Sequence, residues 1–139
     1  MNIYTINDDE FTSSLEFQNF LKENPTSGNL RIRAYSASEA IPIKGLKIEV
    51  STLIGDDKVI FFEGETDSSG LIDRISLPAP LLNTDNMIKP TSTVYDIYAN
   101  YPPNNVSAIY KVNMYEDICV VQNINIAPLI QIMEVSDGR

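Results

Sequence analysis

The side chains that carry most acid–base and metal chemistry are missing or isolated in this sequence. It has no histidine and one cysteine. Without histidine there is no side chain whose ordinary titration falls near neutral pH, and no imidazole to hold a metal. A Ser-His-Asp or Cys-His site is excluded within the chain, as are the ordinary cysteine–histidine zinc sites. Cys119 lies in the apolar run Ile118-Cys119-Val120-Val121, which predicts a small buried hydrophobe rather than a nucleophile. Carboxylates remain. Asp8-Asp9-Glu10 and Asp56-Asp57 are the dense groups, and both fall where a helix start or a solvated turn is expected. Asp67 and Asp73 flank Ser68-Ser69-Gly70 and are spaced to share a calcium ion. The loop lacks the alternating carboxylates of an EF-hand, however. Asp67 accepting backbone hydrogen bonds in its own turn is the simpler role. Gly64 and Gly70 are too sparse to cradle a phosphate. The expectation is a chain with no catalytic residues, no metal and no cofactor, and not an enzyme.

Tyrosine is the informative enrichment. Tyr95, Tyr98, Tyr101, Tyr110 and Tyr115, five of the seven, fall in the last third. In strands tyrosine ordinarily sits at the margin of the core. The alternative is a docking or stacking surface for sugar rings or a partner protein, because aromatics are enriched at interfaces. The candidate contact residues are Tyr95, Tyr98 and Tyr101, with Leu129 and Ile132 from the apolar stretch near the C-terminus.

Nineteen acidic residues against ten basic ones give a net charge of −9. That charge repels phosphate backbones and anionic lipid, so neither nucleic acid nor a membrane is an expected partner. Solubility accounts for the acidity, and so does a docking surface for a basic partner. The lone cysteine allows no internal disulfide, which fits a reducing compartment. The acidic start, Met1 to Glu10, lacks the basic and apolar regions of a signal peptide. No uncharged apolar run approaches a membrane span. Synthesis in the cytoplasm without a signal peptide is the expectation.

The length, 139 residues, suits one domain with a sizeable core. Phe11, Leu15, Phe20 and Leu21 recur near helical spacing after Asp9 or Ser13 as caps, and Asn24-Pro25 ends the pattern. One short N-terminal helix is predicted, followed by a turn at Thr26-Ser27-Gly28. From Asn29 the period becomes two. Leu30, Ile32 and Ala34 alternate with Arg31, Arg33 and Tyr35; Leu46, Ile48 and Val50 alternate with Lys47, Glu49 and Ser51. Further strands are predicted at Val59 to Thr66, Leu71 to Leu77, Thr93 to Tyr101, Val106 to Tyr115 and Ile118 to Ile126. Pro78-Ala79-Pro80 should stop the fourth of these seven strands, since proline cannot donate to a ladder. Turn signals recur about every eight to twelve residues, the pattern of a two-sheet sandwich. The expected class is all-β: a seven-stranded antiparallel β-sandwich behind a short N-terminal helix. Its expected division is a helical lead-in over 1–27, a sandwich over 28–128 and a tail over 129–139.

An ordered series of short motifs then carries a resemblance. It comprises Gly28-Asn29-Leu30-Arg31-Ile32, Ile41-Pro42-Ile43-Lys44-Gly45-Leu46-Lys47-Ile48, Thr66-Asp67-Ser68-Ser69-Gly70, Leu77-Pro78-Ala79-Pro80 and Tyr95-Asp96-Ile97-Tyr98-Ala99-Asn100-Tyr101. The series resembles the transthyretin-like (prealbumin-like) domains known as carboxypeptidase regulatory-like domains. Within them it is similar to the N-terminal pre-pro region of spore cortex-lytic enzymes, and the lead-in Phe20 to Pro25 fits as well. The likeness covers about residues 20 to 128. Asn100 stands where the family usually has glycine. The resemblance implies a sandwich without catalysis that assists the folding of a peptidoglycan-cleaving domain and keeps it inactive until a germination protease acts. It therefore implies a regulatory or chaperone-like prosegment or accessory domain, spore-associated, with a lytic enzyme or its activating protease as protein partner. Two alternatives stay open: a stand-alone module binding cell-wall glycan or protein through the tyrosines, and a structural component of a phage tail or spore layer.

Overall fold

A computed structural model describes residues 1–36, 41–82 and 92–126. The chain opens with strand β1 (Ile3–Thr5) and two helices, α1 (Asp9–Thr12) and α2 (Leu15–Glu23). The strands that follow are β2 (Thr26–Ser36), β3 (Ile41–Pro42), β4 (Lys47–Ile54), β5 (Asp57–Glu65), β6 (Leu71–Ala79), β7 (Thr93–Tyr101), β8 (Val106–Met114) and β9 (Cys119–Asn125). One sheet runs β1-β5-β4-β7-β8. The other runs β3-β2-β6, with β9 also paired to β2. The expected all-β sandwich with helix at its N-terminus is the observed class.

Several local expectations are corrected. The single helix is two, because Ser14 caps α2 by accepting from the Phe17 amide while Asp8, not Asp9, caps α1. Thr26-Ser27-Gly28 is not a turn but the start of β2, paired to β6. β6 runs through Pro78 to Ala79. Among the described residues it has a partner on one side only, and an edge strand tolerates a residue with no N–H to donate. The sheets are mixed rather than antiparallel, since β1 lies parallel to β5 and β9 parallel to β2.

The alternating residues meet between the sheets. Leu30, Ile32 and Ala34, with Ile124 beside Ala34 in the same sheet, face Ile48, Val50, Tyr95 and Ile97 of the other in one buried cluster. Burying each large apolar side chain there contributes about 1.5–3 kcal/mol. A second cluster forms where α1 and α2 lie against the five-stranded sheet: Phe11 and Phe17 pack on Ile54 and Val59. Tyr4 stacks on Phe11 at 4.6 Å between ring centres. Phe20 and Phe61 touch both clusters and join them. Phe61 owes its place to an irregularity in the β4–β5 register, where Val50 pairs with Phe62 but Ser51 pairs with Ile60. The extra residue lets Phe61 and Phe62 both reach the core.

Candidate recognition surface on the five-stranded sheet

β7 is buried on one face and open on the other. Tyr95, Ile97 and Ala99 point into the core, while Val94, Asp96, Tyr98 and Asn100 point outward. The ladder aligns Tyr98 with Glu49 of β4 on one side and with Ile109 of β8 on the other. Tyr98 is 40% exposed and Ile109 67%, so an aromatic–aliphatic cross-strand pair stands in solvent. Such a pair adds modestly to the sheet by itself.

Two grooves flank it. One of about 410 Å³ lies among Lys47, Glu49, Glu63, Glu65, Tyr98 and Asn100. The other, about 260 Å³, lies among Met1, Glu49, Leu53, Asp96, Tyr98 and Ile109. Tyr98 and Glu49 belong to both, so the ring stands between the two grooves. Two ion pairs set the neighbouring side chains: Lys58 Nζ to Glu49 Oε2 at 2.8 Å, and Lys111 Nζ to Asp96 Oδ1 at 2.7 Å. Both pairs are partly exposed and contribute little to stability. Their effect is to hold two lysines and two carboxylates around the ring. The arrangement offers a flat aromatic face, an aliphatic neighbour and hydrogen-bonding groups on its rim, the makings of a contact with an amphipathic surface.

The expected contact residues separate. Tyr95 is fully buried, with the Phe61 ring edge-on at 5.5 Å. As a contact for a partner it is corrected to a core residue. Burial holds its phenol protonated far above the ordinary range. Tyr101 is half-buried and packs on the main core. Tyr98 alone of the three presents its ring outward. Leu129 and Ile132 lie outside the described residues. Ile109 and Glu49 were absent from the expected set. The signal for Ile109 was an apolar residue in phase with Ser107, Lys111 and Asn113 on the polar side of its strand.

Cys119 is exposed, not buried. Ile124 on β9 and Ile126 just beyond it point inward, and Cys119 shares the outward phase of Val121, Asn123 and Asn125. The carboxylates take structural roles. Asp67 Oδ1 accepts from the amides of Ser69 and Leu71 at 2.9 and 3.0 Å, closing its own turn. Asp73 pairs with Arg31 instead of facing Asp67. Asp8 accepts from the Glu10 amide, and Asp57 from the Asn2 amide.

No family model matches the chain, and no curated protein matches it. Solved structures do. A 5-hydroxyisourate hydrolase from Klebsiella pneumoniae is 17% identical at a TM-score of 0.48, over 70% of this chain and 90% of that one. An (S)-allantoin synthase is 12% identical at a TM-score of 0.45, over 73% of this chain and 42% of that one. Likenesses at these scores carry no argument about what the chain does. Both names are those of enzymes. The expectation that this chain is not an enzyme, drawn from the missing histidine, the lone cysteine and the turn-bound carboxylates, is corrected on that finding, since a fold does not exclude catalysis.

Proposed function

We propose that the chain is an accessory domain that covers a surface on a partner protein, using the outward face of the five-stranded sheet. The observation that carries this is the placement of Tyr98 and Ile109, exposed side by side between two grooves. Exposed aromatic and aliphatic groups with polar rims mark contact surfaces. The sequence resemblance supplies the class of partner: a peptidoglycan-lytic enzyme, or the protease that activates it, in a spore. The domain would assist folding and restrain activity by occupying the partner's surface. The test is co-expression with a lytic domain, in cis and in trans, using the wild type and a Tyr98→Ala/Ile109→Glu variant. The reading expects changed solubility or activity of the partner with the wild type, and at least a tenfold weaker effect with the variant (about 1.4 kcal/mol, well within what a central contact contributes). No effect of the wild type removes it.

A second reading rests on the same ring. Tyr98 lies beside Asn100, Lys47, Glu49 and Glu63, side chains suited to sugar hydroxyls around a stacking face. Co-sedimentation with purified peptidoglycan decides between a glycan and a protein as occupant: retention lost in Tyr98→Ala supports the glycan, and failure of the wild type to sediment discards it.

A further inference from the structure

A second surface lies along the edge of β5. β1 runs parallel to β5 only from Lys58 to Ile60. The last bond of that pairing joins the Ile6 amide to the Ile60 carbonyl at 3.1 Å, and the chain then leaves for α1. From Phe61 to Glu65, β5 has no strand on that side among the described residues. An open ladder is a template for another strand. Two other edges carry features that discourage pairing: Lys111 on β8 and Pro78 on β6. The open stretch of β5 has neither lysine nor proline, and its own charges are the carboxylates of Glu63 and Glu65 beyond the extra residue at Phe61.

Its side chains specify what would fit. Phe62 and Gly64 pair with Val50 and Ile48 and share their inward phase. Beside them is a groove of about 280 Å³ where Ile6, Phe61 and Phe62 form the apolar wall and Thr5, Asn7 and Glu63 the polar rim. It adjoins a second groove of about 370 Å³ that shares Ile6 and Phe61 and reaches Leu21 and Pro78. Glu63 and Glu65 alternate with Phe62 and Gly64, lie exposed, and make no ion pair among the described residues. An added strand would therefore meet apolar walls with one set of side chains and two free carboxylates with the other.

We propose that the β5 edge from Phe61 to Glu65 receives an extended segment of a partner protein as an added strand, in line with β1. The segment alternates apolar residues, which enter the Ile6–Phe61–Phe62 groove, with lysine or arginine, which lie against Glu63 and Glu65. β1 shows that this edge takes a strand, and the net charge of −9 favours approach of a basic segment. Glu63 and Glu65 also line the groove beside Tyr98, but the added strand rests on the open β5 backbone and not on the Tyr98 ring.

The test is an NMR titration of the full chain with a blocked eight-residue peptide of alternating lysine and valine. The expected result is shift changes and slowed amide exchange at residues 61–65, with affinity falling as salt rises. A glutamate–valine peptide, and the Glu63→Lys/Glu65→Lys variant, should each bind about tenfold more weakly. Tyr98→Ala, which leaves the edge intact, should bind within about twofold of wild type. The proposal is overturned by absent binding, by changes centred on β8 or on Tyr98, by loss of binding in Tyr98→Ala, or by sedimentation showing a second copy of the chain on this edge.

Discussion

The phenol of Tyr95 on β7 donates a 2.6 Å hydrogen bond to the carbonyl of Pro78 on β6. Tyr95 belongs to the five-stranded sheet and Pro78 to the four-stranded one, so this bond ties the two layers across the core. Proline gives β6 no N–H at that position, yet its carbonyl still accepts.

Tyr95→Phe keeps the ring and removes the tie, leaving the Pro78 carbonyl short of a partner. The expected loss is about 1–2 kcal/mol. Tyr95→Ala also opens a cavity and should lose about 3–5 kcal/mol. Urea unfolding with unchanged slope measures both. Equal losses in the two variants would show that the ring's packing contributes nothing.

The same side chain sets an alkaline limit. Burial raises the Tyr95 phenol well above its ordinary value of 10.0. Tyr110 moves the same way, through burial first and then its neighbour Tyr35. In the unfolded chain both ionise near 10, so above that pH the folded state holds more protons and stability falls as pH rises. Below pH 10 the contribution is fully present. Unfolding free energies at pH 8, 9.5 and 11 should show the decline, and Tyr95→Phe should flatten it.

Gly70 closes the Asp67 turn at φ +76°, and a Cβ there would stand 2.3 Å from the Ala34 carbonyl oxygen. Gly70→Ala therefore meets both a left-handed backbone and a main-chain overlap, and should cost more than about 2 kcal/mol. Gly55, at φ +62° with open space around it, provides the comparison. Gly55→Ala should cost only the conformational term, about 1–2 kcal/mol. Thermal melts of the two variants measure the difference.

Cys119 should react in the folded protein. With its side chain exposed on β9, iodoacetamide in native buffer is expected to give one adduct by mass spectrometry. Labelling only after addition of denaturant would return Cys119 to the core.

Much of the fold was legible from alternation. A strand's two faces are fixed by residue parity alone, so Leu30, Ile32 and Ala34 separated from Arg31, Arg33 and Tyr35 as a core set, while in β7 the structure decided that Tyr95, Ile97 and Ala99 point inward. The bounds of β7 were readable for the same reason. Of the recognition surface, Tyr98 was named, but together with Tyr95, which shares its strand face with the apolar Ile97 and Ala99 and is buried. Cys119 was misjudged by the apolarity of its neighbours, although its parity with Asn123 and Asn125 points outward.

The sequence by itself determined the longer strands and the alternation of their faces, because solvent exclusion acts on each strand locally and repeats every second residue. Tertiary structure alone decided which strands pair, in which direction, and where pairing ends. Ile3–Thr5 is too short to announce a strand until β5 lies beside it, and β9 is parallel to β2 only because the chain crosses between sheets after β8. Those outcomes depend on contacts between residues far apart in the chain. The same contacts set Tyr98 between Glu49 and Ile109 and, among the described residues, leave the edge of β5 open beyond Ile60.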